Sequence, residues 1–134
     1  MLNNGAIAWK SHRQPTVVLS TMESEYMALT EATKELKWIR TLLSELRYSN
    51  DSVDEAPTTL FSDNQSAIAL ANNPMSHAHA KHIDLRHHFI REAIANRIIW
   101  VQYIPTAEMM ADSLTKALGR KKHKKCTARM GMTS

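Results

Sequence analysis

The sequence predicts an α/β fold, a mixed sheet flanked by helices, and three observations carry that prediction. Short β-prone runs alternate with stretches of helical periodicity, one stretch from Ser20 to Leu46 is long and strongly periodic, and no internal repeat or low-complexity block interrupts the alternation. At 134 residues the chain has the length of one ordinary domain, enough to bury a core.

Ala6-Ile7-Ala8-Trp9 and Thr16-Val17-Val18-Leu19 are β-prone runs joined by the polar stretch from Lys10 to Pro15, which reads as a hairpin. Ser20-Thr21-Met22-Glu23 carries the capping pattern of a helix start, and Tyr26, Leu29, Leu36, Ile39, Leu43 and Leu46 follow at helical spacing. Ser49 to Pro57 is polar and acidic and ends in a proline, so it reads as a surface loop before a strand from Thr58 to Ser62. Asn64 to Ala71 is a short helix closed by Asn72-Asn73-Pro74. A histidine-rich connection then leads to a helix from Asp84 to Asn96 with Phe89, Ile90, Ala93 and Ile94 inward. Ile98 to Ile104 alternates as a strand, and Pro105-Thr106 opens a last helix that contains Asp112 and closes at Gly119. The expected order is strand, strand, helix, strand, helix, helix, strand, helix.

The net charge of +4 is unevenly placed, because Arg120, Lys121, Lys122, Lys124 and Lys125 fall within six positions. The expected organisation is one domain over residues 1–119 and a basic C-terminal tail over 120–134, suited to a polyanionic partner or simply solvated. Cys126 is the only cysteine, which excludes an intrachain disulfide and suits a reducing compartment. No apolar run approaches the roughly 18 residues of a membrane span, and Met1-Leu2-Asn3-Asn4-Gly5 lacks the regions of a signal peptide. A soluble intracellular protein, cytoplasmic or nuclear and without a membrane partner, is expected.

Three acidic residues stand out. Glu25 lies on the flank of the long helix, Asp63 ends the strand from Thr58, and Asp112 belongs to the last helix. Carboxylates gathered from distant parts of a chain repel one another unless cations lie between them, and hard oxygen donors of this kind suit Mg²⁺ or Mn²⁺. Taken singly, each is more often a helix cap or dipole partner than a ligand.

Longer motifs sharpen the reading. Trp9-Lys10-Ser11-His12-Arg13-Gln14, Leu19-Ser20-Thr21-Met22-Glu23-Ser24-Glu25-Tyr26-Met27-Ala28-Leu29, Ser62-Asp63-Asn64-Gln65-Ser66-Ala67-Ile68, Lys81-His82-Ile83-Asp84-Leu85-Arg86-His87-His88-Phe89-Ile90-Arg91-Glu92 and Ala111-Asp112-Ser113-Leu114-Thr115-Lys116 occur in this order. Together they resemble the ribonuclease H domain of copia-type retrotransposon polyproteins, and the resemblance covers nearly the whole chain. It implies a ribonuclease H fold, a five-stranded mixed sheet flanked by helices, that cuts the RNA strand of an RNA-DNA hybrid with two divalent metals, as the last domain after a reverse transcriptase.

Carried over by motif, Glu25 matches the family's helix glutamate, Asp63 the strand-ending aspartate and Asp112 the last-helix aspartate. Glu25 is preferred to Glu23 because the family's glutamate directly precedes an aromatic or apolar residue and then a small one, whereas Glu23 has a capping position. Asn64, Gln65, Lys81, His82 and Arg86 are the expected nucleic-acid contacts, the two amides suiting a sugar 2′-hydroxyl or a base edge. Capping is the competing role of Asn64.

The family's first strand, which bears a leading aspartate, lies some tens of residues before its tryptophan-lysine motif. Here eight residues precede Trp9 and none is acidic, so the first, central strand and its ligand are expected to be lacking. A sheet without that strand would expose an edge, favouring homo-oligomers or capture of a partner's strand. The family's histidine-bearing loop before its last aspartate also has no counterpart between Pro105 and Asp112. Two functions are therefore carried forward: a metal-dependent hybrid nuclease, and a catalytically inactive remnant or repurposed module that binds nucleic acid or protein. The histidines at 77, 79, 82, 87 and 88 match no familiar zinc spacing and read as a solvated face near a phosphate backbone. Trp38 and Trp100, which fall in apolar periodic segments, read as core or half-buried residues.

Overall fold

The computed structural model describes residues 5–11, 13–14, 20–46, 56–73 and 81–132, with the backbone alone for 81–84. Two compact units make up the chain, Val18–Tyr103 and the combination of Met1–Val17 with Ile104–Ser134.

The unit Val18–Tyr103 begins with helix α1, Thr21–Glu45. Ser20 caps it with extended backbone, its side chain accepting from the Glu23 N–H at 3.2 Å, as the capping pattern anticipates. The inward stripe of α1 holds Tyr26, Leu29, Thr30 and Thr33, all buried. The two threonines are tolerated there because their hydroxyls donate to carbonyls one turn back, Thr30 to Tyr26 at 2.9 Å and Thr33 to Leu29 at 2.7 Å.

Strand β1, Thr58–Ser62, follows, then α2, Gln65–Asn72, and α3, Lys81–Ala95. The third helix starts three residues earlier than its sequence pattern suggests. It ends in a Schellman motif: the Arg97 N–H donates to the Ile94 carbonyl at 3.0 Å and the Ile98 N–H to the Ala93 carbonyl at 2.9 Å, with Arg97 at φ 56°. That turn delivers the chain into β2, Ile99–Tyr103, which pairs in parallel with β1 in the register Thr58–Ile99, Leu60–Val101, Ser62–Tyr103. A parallel pair needs a long crossover, and α2 and α3 supply it.

The sheet is one-sided. Ile99 and Val101 are buried with Tyr26, Leu29, Ala67, Ala71, Ile90 and Ala93, while Thr59, Phe61, Trp100 and Gln102, on the opposite face, are exposed. Trp100, at 57 % exposure, and Trp38, at 59 %, thus correct the expectation of core or half-buried tryptophans. The pleat puts Trp100 opposite to its buried neighbours, and Trp38 stands about 200° around α1 from Leu36, off the inward stripe.

In the second unit, the expected strand Ala6–Trp9 is not formed. The Ala6 N–H donates instead to the Met130 carbonyl at 3.2 Å, and among the described residues no strand ladder holds this four-residue run. The other half of the expected hairpin, Thr16 to Leu19, lies outside the described residues. The expected last helix is also divided: a 3₁₀ turn over Thr106–Glu108 is followed by the short α4, Asp112–Thr115, and Lys116 is extended. Gly119 caps the next helix rather than closing the previous one, and the basic run forms α5, Arg120–Arg129. Among the described residues, the mixed five-stranded sheet implied by the resemblance is represented by two parallel strands, and no helix is long and apolar enough to cross a membrane.

Candidate functional site

Asp63 is positioned by a tight sequence of local bonds. Ser62, at the end of β1, is buried, and its hydroxyl accepts from the Asn64 N–H at 3.2 Å. Asn64 then caps α2, its Oδ1 accepting from the Ala67 N–H at 3.0 Å. The half-buried Asp63 is thereby held at the carboxyl end of a parallel strand, where α/β proteins present their polar chemistry. Glu25 is half-buried on the first turns of α1 in the same unit. Both are oxygen donors of the kind that hard divalent cations take.

Asp112 belongs to the other unit and has a different environment. It is 5 % exposed, and each carboxylate oxygen is met by an ammonium group: Oδ1 by Lys116 at 2.8 Å and Oδ2 by Lys122 at 2.9 Å. Lys122 also donates to the Thr106 carbonyl at 2.9 Å. Burial alone would raise the Asp112 pKa, but the hydrogen bonds and charges of Lys116 and Lys122 outweigh it and hold the carboxyl below its usual range. Asp112 is an oxygen donor of the right chemistry, but a metal would share or displace two lysines there. Among the described residues, no group of three or more His, Cys, Asp or Glu side chains stands ready to hold a metal ion.

The expected nucleic-acid contacts divide as well. Gln65 is exposed and Asn64 is occupied in part by capping, so its amide N–H groups are what remain for a ligand. The side chains of Lys81 and His82 lie outside the described residues. Arg86 is half-buried and lines a cavity of about 200 Å³ formed with Met22, Tyr26, Met27, Leu70 and His87.

That cavity was not anticipated. The Tyr26 ring lies 4.6 Å from the His87 ring, centroid to centroid, and the Tyr26 hydroxyl is buried without a hydrogen-bond partner among the described residues. Burial pushes its pKa up to about 12, with the Arg91 charge opposing the rise. His87, expected on a solvated face, is buried instead. Helical spacing gives the reason, since His87 precedes Ile90 by three residues and Ile94 by seven on the inward side of α3.

The chain is similar to segments of much longer proteins. It is 42 % identical over 132 residues to the retrovirus-related Pol polyprotein from transposon TNT 1-94 of Nicotiana tabacum, a match that spans 98 % of this chain and 10 % of that protein. It is 33 % identical over 132 residues to the retrovirus-related Pol polyprotein from transposon RE1 of Arabidopsis thaliana and 37 % identical over 119 residues to that from transposon RE2. The chain thus spans about a tenth of the length of the curated relatives it matches. No family model matches, and no solved structure matches. The chain is homologous to plant retrotransposon Pol polyproteins, a retroelement-derived origin.

Proposed function

We propose that this chain is a ribonuclease H-like domain of a copia-type Pol polyprotein, working with an upstream reverse transcriptase domain and hydrolysing the RNA of RNA-DNA hybrids with Mg²⁺ or Mn²⁺. The observation that carries this reading is the similarity to retrovirus-related Pol polyproteins over 98 % of the chain. Glu25, Asp63 and Asp112 are the proposed catalytic metal ligands. Divalent cations held by such carboxylates would polarise the scissile phosphate and lower the pKa of the attacking water.

The chain's own residues have separate tasks in this reading. The Ser62-Asn64 turn fixes the Asp63 carboxylate at the strand end. Asp112 stays ionised at neutral pH because its two lysines depress its pKa. Asn64, Gln65, Lys81, His82 and Arg86 hold the hybrid, the amides through its sugar edges and the cations through its phosphates.

One observation favours a second reading, a nucleic-acid-binding module without catalysis: both Asp112 oxygens are engaged by lysines. Incubation of a labelled RNA-DNA hybrid with the chain in Mg²⁺ and then Mn²⁺, beside Asp63→Asn, separates the two. Cleavage by the wild type that disappears in the variant is the expected result. Intact hybrid that is nevertheless bound by folded protein would replace the nuclease with the binding module.

A further inference from the structure

The basic run near the C-terminus is a helix with two distinct faces. Helix α5 carries six Lys and Arg residues and no Asp or Glu. Lys122, Cys126 and Arg129 share one face at helical spacing, and that face is engaged within its own unit. Lys122 is bound to Asp112, buried Cys126 sits 3.8 Å by its Sγ from the Met109 carbonyl oxygen, and Arg129 lies 3.6 Å from Glu108.

Arg120, Lys121, Lys124 and Lys125 fall on the other face, around Ala128, and all four are exposed. Among the described residues, no ion pair engages any of them. Three pairs of these cations stand three or four residues apart, Arg120 with Lys124, Lys121 with Lys124 and Lys121 with Lys125, so they repel one another in the free protein.

We infer that this outer face of α5 is a docking surface for a nucleic-acid phosphate backbone. It goes beyond the proposed hydrolysis, because the surface holds nucleic acid whether or not the carboxylates cut it. Charge complementarity selects the partner. The four cations span about 7.5 Å along the helix axis at 1.5 Å per residue, and a nucleic-acid strand presents a negative charge about every 3.4 Å. The middle of the face is Ala128, with no exposed aromatic or large aliphatic side chain among the outward residues. A protein partner's interface core and an amphipathic helix embedded in a membrane both require such an apolar anchor, and a phosphate backbone does not. Binding on this face is accordingly indifferent to base sequence.

The test is fluorescence anisotropy of a labelled RNA-DNA hybrid in EDTA, across salt from about 50 to 200 mM, where each phosphate contact steepens the salt dependence. The wild type is compared with the Arg120→Gln, Lys121→Gln, Lys124→Gln, Lys125→Gln variant, whose folding is checked by circular dichroism and thermal melting. The slope of log affinity against log salt is expected to become shallower by about 3 to 4 in the quadruple variant, and by about 1 in Lys124→Gln alone, which serves should the quadruple variant not fold. An unchanged slope in folded variants overturns the inference, as does equal competition by polyglutamate, which would make the face a site for acidic protein. Cleavage is read separately in Mg²⁺. A wild type that cuts with an unchanged slope defeats the surface alone, and one that binds through α5 without cutting defeats the hydrolysis alone.

Discussion

The two units of the chain are held together by different forces. In Val18–Tyr103 the buried side chains are mostly apolar, with Ile90, Ile99, Ala67 and Ala93 at or near complete burial, and the buried Thr30 and Thr33 hydroxyls are bonded inside α1. In the unit made by Met1–Val17 and Ile104–Ser134, the buried residues among those described are Asp112 and Cys126, and the centre is a carboxylate between two ammonium groups. Apolar burial is indifferent to salt and to pH over a wide range, whereas an ion-paired centre answers to both. The comparison teaches that two proposed ligands of the same kind, Asp63 and Asp112, do not start from the same energetic position. Asp63 rests on a hydrogen-bonded turn, and Asp112 is itself a structural contact.

The largest effect expected from this contrast is on the apolar side. Ile90→Ala removes a fully buried side chain and should destabilise Val18–Tyr103 by about 3 kcal/mol in urea unfolding, with little change between low and high salt. Asp112→Ala should cost the other unit about 2 kcal/mol, below the range for fully buried pairs because Lys116 and Lys122 are partly solvated. The loss should shrink as salt is added, and hydrogen exchange along α4 and α5 reads it. Because the folded pKa of Asp112 is depressed, its contribution is present above the ordinary value of 3.8 and is lost as pH falls below it.

Tyr26 titrates in the opposite sense. Its folded pKa is raised from 10.0 to about 12, so its contribution is intact below pH 10.0 and is lost as pH rises through that window. Tyr26→Phe should flatten the alkaline loss and, by removing a buried hydroxyl without a partner, stabilise the fold by about 1 kcal/mol at neutral pH. The smallest effect is expected at Arg97, where a non-glycine residue holds φ 56°; Arg97→Gly should gain about 0.5 kcal/mol in thermal melting.

Much of the larger unit was legible in the sequence because its signals are local and periodic. The Ser20 cap, the inward stripe of α1, the strand from Thr58 to Ser62, the Asn64 cap and the inward Ile90 and Ala93 all follow from spacing within one element. Trp100 and Trp38 were misplaced by hydrophobicity taken without phase, although the pleat and the helical period assign both to the outer face. The interior of the smaller unit was not legible. Asp112, Lys116 and Lys122 are brought together by the bend at Lys116 that separates α4 from α5, and a pattern continuous through Gly119 gave no sign of that bend. The cavity beside Tyr26 and His87 depends on three helices meeting, which a single-sequence pattern does not encode.

The most direct test of the account is Mn²⁺ binding to the folded chain, followed by water-proton relaxation, for wild type, Glu25→Gln, Asp63→Asn and Asp112→Asn. Metal ligation by all three carboxylates predicts that each substitution lowers Mn²⁺ affinity by about tenfold or more. An affinity that Asp112→Asn leaves unchanged would contradict it, and would leave Asp112 as the lysine-bound centre of its own unit.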